Sequence, residues 1–128
     1  MRTELLSYLT TNLTGSIKIS SELPWAEGNN PLYLKNKRRV YLDEANIAVE
    51  PLMETLDSAD IPQTITTVRG FLAVDAKNRN ADLDTALATL AGAKSIATDS
   101  FRKEFDYTSS IEGDTVTYEL EYRFYTLA

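Results

Sequence analysis

Four acidic pairs and one basic run are the places where this 128-residue chain could do chemistry: Asp43/Glu44, Asp57/Asp60, Asp82/Asp84, Glu112/Asp114, and "KNKRR" at 35–39. Paired carboxylates serve acid–base catalysis only when different surroundings push their pKa values apart. Simpler placements exist here. Asp82/Asp84 suit the start of a helix, Glu112/Asp114 a hairpin turn and Asp57/Asp60 a loop. None has the ligand spacing of a calcium loop. The chain has no His and no Cys, which removes the commonest general base, the thiolate nucleophile and the usual zinc ligands. Its five glycines are scattered, so no phosphate-cradling loop is formed. The expectation is a protein that is not an enzyme and holds neither cofactor nor metal.

The basic run stands out because the chain is otherwise acidic, with net charge −6 and pI near 4.6. That balance disfavours nonspecific binding to nucleic acid or to an anionic membrane. Lys35, Lys37, Arg38 and Arg39 fit a solvated turn between two strands. They equally fit a contact for an acidic partner surface, or for DNA threading past. Tyr33 and Tyr41 are the only nearby aromatics, too few for a base-stacking platform. Trp25, the single Trp, lies in a loop with Pro24 and Gly28. It is either folded back as a plug or presented as an interface anchor.

The elements that position these residues follow from periodicity. Leu5, Leu6, Leu9 and Leu13 lie at helical spacing, predicting a helix over 2–13 with Gly15 as its stop. "SIKIS" (16–20) reads as a short strand, and "LYL" (32–34) and "VYL" (40–42) as strand-like pieces after a long loop. Residues 43–63 have mixed spacing with Pro51 inside, so an extended excursion or projecting hairpin competes with a helix. "TITTVRGFLAVDA" (64–76) is apolar on both faces, as in a strand covered on both sides. "NADLDTALATLAGAKSIA" (80–97) is the clearest helix, capped by Asn80 or Asp82, with Leu83, Ala86, Leu87, Leu90 and Ala97 along one face. "IEGD" then joins two C-terminal strands in a hairpin.

The final strand alternates, with Val116, Tyr118, Leu120, Tyr122 and Phe124 on one side and Thr117, Glu119, Glu121, Arg123 and Tyr125 on the other. The apolar side is expected to meet helix 80–97. Phe105, Tyr107 and Tyr125 would put aromatic area on the second face or along an edge, and such edges are normally covered or paired. The fold class that results is α+β: a mostly antiparallel β-sheet with two helices packed against it and a C-terminal β-hairpin, in a single domain over 1–128. The segment "MRTELLSYLTTNL" lacks the apolar core of a signal peptide, and no stretch approaches membrane-spanning length. Synthesis in the cytosol and no membrane partner are therefore expected.

The layout resembles the tail terminator (tail-completion) proteins of long-tailed, lambda-type bacteriophages. The resemblance lies in the opening helix "RTELLSYL", in "TTVRGFLAVDAKNRNADLDTALATL" running from buried strand through polar turn to helix, and in the Tyr-rich ending "FDYTSSIEGDTVTYELEYRFYTL". The stretches 22–36 and 43–63 match the family pattern poorly. The resemblance implies a homo-oligomeric ring, usually a hexamer, that caps the completed tail tube and stops its polymerisation. It implies as partners further copies of the chain, the tail tube protein and the head–tail connector, with DNA passing through the pore without specific binding. It also implies a place in the virion tail or neck, and in the host cytoplasm during assembly. Trp25, Lys35, Lys37, Arg38, Arg39, Tyr107 and Tyr125 are the candidate interface residues. A head–tail adaptor or stopper, or a small monomeric acidic binding module, remains an alternative.

Overall fold

A computed structural model of the chain describes residues 1–22, 38–53, 61–75 and 81–127. Helix α1 spans Arg2–Asn12, followed by the two-residue strand β1, Lys18–Ile19. Strands β2 (Arg39–Leu42), β3 (Asn46–Met53) and β4 (Ile61–Asp75) precede helix α2 (Ala81–Gly92). Strands β5 (Arg102–Glu112) and β6 (Thr115–Leu127) close the chain. The strands form one sheet in the order β1-β2-β4-β6-β5, with β3 beside β4. Every pairing is antiparallel except β1 with β2. The α+β fold read from the sequence is the observed one.

Two of the sequence expectations sharpen. Residues 43–63 include β3, which pairs antiparallel with β4 from Asn46↔Thr67 to Met53↔Ile61. The hairpin reading therefore describes the placed residues. Strands β2 and β3 share one edge of β4, since Val40 pairs with Leu72 and Asn46 with Thr67. The "LYL" strand lies outside the described residues, as does Asn80. The expected helix 80–97 is α-helical to Gly92 and tightens to a 3₁₀ turn over Ala93–Ile96. At that point the Leu90 carbonyl accepts the hydroxyl of Tyr122. A side chain from the sheet thus competes for a carbonyl the helix would otherwise use.

The core lies between the two helices and one face of the sheet. Leu5 and Leu9 of α1, Leu83, Ala86 and Leu90 of α2, and Val116, Tyr118, Leu120, Tyr122 and Phe124 of β6 pack into one buried cluster. The five β6 residues are the apolar set of the alternating strand, they share the buried cluster with α2, and Tyr122 reaches α2 directly through the Leu90 carbonyl. Full burial of each large side chain contributes about 1.5–3 kcal/mol. Gly15, expected to stop α1, comes after the helix has ended and takes φ 81° in the turn that leads to β1. Arg2 fixes the helix to the sheet by donating from Nε to the Leu42 carbonyl and from Nη2 to the Ser21 carbonyl, both at 2.9 Å.

Strand β4 is covered on both faces only in its second half. Val68, Leu72 and Val74 are buried on the helix side, and Phe71 and Ala73 on the other. Register places Tyr41 and Thr117 beside Phe71 and Ala73, and both are buried. In the first half, Thr64, Ile65, Thr66 and Thr67 are half-buried.

Candidate interface

The face of the sheet away from the helices carries the charged side chains of its central strands. Register sets Arg69, Glu121 and Asp106 in one row across β4, β6 and β5. Glu121 Oε1 accepts from Arg123 Nε at 3.2 Å, lies 3.2 Å from Arg123 Nη2, and stands 3.9 Å from Arg69 Nε. One carboxylate oxygen thus serves two guanidinium groups. Arg102 lies with Nε 2.6 Å from Glu104 Oε1 and its guanidinium 5.2 Å from the centre of the Tyr125 ring. Accepting oxygens on Tyr125, and next on Glu121, favour the charged guanidinium and hold Arg123 above its ordinary pKa. These pairs are largely exposed, and exposed ion pairs contribute little to stability. Their use is to fix a surface pattern of charge.

Two shallow depressions occupy this face. One, of about 530 Å³, lies between Arg69, Phe71, Asp106, Thr108 and Glu119. The other, of about 560 Å³, runs under β3 and is lined by Asp43, Glu44, Glu50, Arg69, Glu121 and Arg123. Neither converges ionisable groups in an enclosed space. Asp43 accepts from the Glu44 amide at 2.8 Å, a local turn bond. Among the described residues no group of three or more acidic side chains could hold a metal ion, and no described helix is long and apolar enough to cross a membrane.

The candidate interface residues that the structure describes are spread over several strands. Trp25, Lys35 and Lys37 lie outside the described residues. Arg38 immediately precedes β2 and Arg39 opens it, and Arg39 pairs with Lys18 of β1, so Lys18 joins the basic group. The alternation of "SIKIS" was the signal that could have placed it there. Arg38 takes φ 64°, donates its amide to Ala73 O at 2.7 Å and accepts from the Lys18 amide at 3.1 Å. An arginine in the left-handed region costs about 1–2 kcal/mol relative to glycine. The position keeps a cation at the expense of an easier backbone.

Tyr125 sits half-buried on the outer face beside Phe101, ring centres 6.3 Å apart. Phe105 and Tyr107 register opposite Tyr122 and Leu120, so they belong to the helix side of the edge strand and not to the outer face. Phe105 packs 4.7 Å from the Tyr122 ring, while Tyr107 is 48% exposed. Sequence reasoning missed Ile47, Val49 and Ile111, each about two-thirds exposed. Pro51 had hidden the β3 alternation that places Ile47 and Val49 together.

The whole describes a small α+β sheet protein whose exposed chemistry is charge pattern and strand edge. No family model and no curated protein matches this chain.

Proposed function

We propose that this protein is a tail terminator of a long-tailed bacteriophage, a ring of identical subunits that caps the tail tube, stops its growth and offers a surface for head attachment. The observation that carries the reading is the pair of outer strands, β3 and β5, whose outward edges have no strand partner among the described residues. Ile47, Val49, Tyr107 and Ile111 are exposed along them. Free edges with apolar side chains recruit further strands unless they are covered. A ring of copies covers them, because heterologous contacts that close by rotation leave no edge over. The capped end then lacks the edges on which another ring of tube protein would build.

The basic group of Lys18, Arg38 and Arg39, on an acidic chain, is the surface proposed to dock on the tube. Removal of this protein from an assembling phage is expected to give overlong tubes. Normal tails that fail to join heads would instead assign it to the adaptor or stopper class. Electron microscopy of the purified protein, alone and with tube subunits, reads ring formation directly. A chain that stays monomeric in both conditions would overturn the ring.

A further inference from the structure

Strand directions and exposed side chains of the two edges that lack a strand partner among the described residues match one another across copies. β3 runs antiparallel to β4, β4 to β6, and β6 to β5. Hence β3 and β5 run in opposite directions on opposite margins of the same sheet. Placing a second copy beside the first, sheet continuing sheet, sets β5 of one next to β3 of the other. That contact is antiparallel, the hairpin-like geometry with perpendicular hydrogen bonds.

Both margins expose apolar side chains on the same side. Ile47 and Val49 register with Thr66 and Thr64, Tyr107 with Leu120, and Ile111 with Val116, all on the helix face. The side-chain period of two then keeps these residues on one face in any register that preserves it. Pro51 has no amide hydrogen to give, which limits the usable β3 ladder to Asn46–Glu50.

Charge selects between registers. The stretch 43–53 holds Asp43, Glu44 and Glu50 and no base, while the bases of β5, Arg102 and Lys103, stand at its start. Through β4 and β6, Ile47 is level with Lys103 and Ala48 with Arg102. Unstaggered pairing continues that level and brings Glu44 across from Asp106. A two-residue stagger removes this repulsion: Glu50 then meets Arg102, Val49 meets Lys103, Ile47 meets Phe105, and Asn46 meets Asp106. Closing a sheet around an axis requires such a stagger in any case.

We infer that the subunit-to-subunit seam is a β3–β5 strand pairing between neighbouring copies, Asn46–Glu50 of one against Arg102–Asp106 of the next. The inference rests on the ring reading and names the surfaces that build it. The chain has no native cysteine, so cross-linking is free of background. Under oxidising conditions the double variant Val49→Cys/Lys103→Cys is expected to give a ladder ending in a closed multimer. Each single variant is expected to stay uncross-linked, and a mixture of the two to stop at dimers. Glu50→Arg and Arg102→Glu should each raise the concentration for half-assembly about ten-fold, and their combination should restore it. A disulfide dimer from Val49→Cys alone would show two like edges meeting and overturn the seam. Rings that form with no cross-link, indifferent to the charge swaps, overturn the seam and leave the ring standing. A monomer that persists at high concentration and with tube subunits present overturns both.

Discussion

Tyr122 carries the densest set of consequences of any residue. Its ring is fully buried and its hydroxyl donates to the Leu90 carbonyl. Burial, with a smaller contribution from Tyr8, pushes its pKa well above the ordinary 10.0. The folded state therefore keeps a proton that the unfolded chain releases above pH about 10. Stability from this group is complete below that pH and falls as pH rises past it, because the unfolded state binds fewer protons. Tyr122→Phe is expected to lower stability by about 1–3 kcal/mol at neutral pH, and to flatten the loss above pH about 10 relative to the parent. Denaturant titrations at neutral and alkaline pH check both. Gly70 is the second such residue. A Cβ there would lie 2.9 Å from Leu42 Cδ2 and 3.0 Å from the Tyr41 carbonyl oxygen, and the carbonyl belongs to the sheet. Gly70→Ala is expected to cost about 1–3 kcal/mol by overpacking, read as a lower denaturation midpoint with unchanged slope.

At the scale of elements, α1 is held by few but deep contacts. Leu5 and Leu9 are fully buried, and Arg2 ties the helix start to the end of β2. Leu9→Ala is expected to lose about 2–5 kcal/mol, measurable by thermal or denaturant unfolding. Strand β6 is the spine: it pairs with β4 from Thr115 to Leu127 and with β5 from Glu112↔Thr115 to Arg102↔Tyr125. Its alternation was plain in the sequence because one face is buried and the other is wet. The sequence puts the turn in "IEGD", and the structure narrows it to Gly113–Asp114, with Ile111 and Glu112 ending β5. Gly113 takes φ 58°, the kind of backbone for which glycine is favoured in a tight hairpin. β3 was less legible. Ile47 and Val49 alternate with Asn46, Ala48 and Glu50, but the exposed edge gives no buried stripe, and Pro51 argues against an interior strand.

Across the whole molecule, function is proposed to reside in how copies meet each other and the tube. Reversal of Arg38 and Arg39 to Glu is expected to abolish attachment to tube ends while leaving ring mass unchanged, checked by co-sedimentation with tubes and by mass measurement of the free protein. Retained attachment would remove the basic group from the docking surface. Reversal at the β3–β5 seam is expected to do the opposite and reduce ring mass first. The two surfaces are thus separable by experiment, although β2 and β3 lie along the same edge of β4.

Much was fixed by local pattern alone: two amphipathic helices, the closing hairpin and the apolar set of β6 each follow from residue spacing within one segment. The absence of His and Cys likewise narrowed the chemistry before any fold was known. Tertiary structure decided what no local pattern contains. Pairing across long separations divided one edge of β4 between β2 and β3, moved Phe105 and Tyr107 to the helix side, and set Lys18 beside Arg39. Which strands became edges was settled in the same way, since an edge is defined by the neighbour a strand lacks, and that is a property of the assembled sheet.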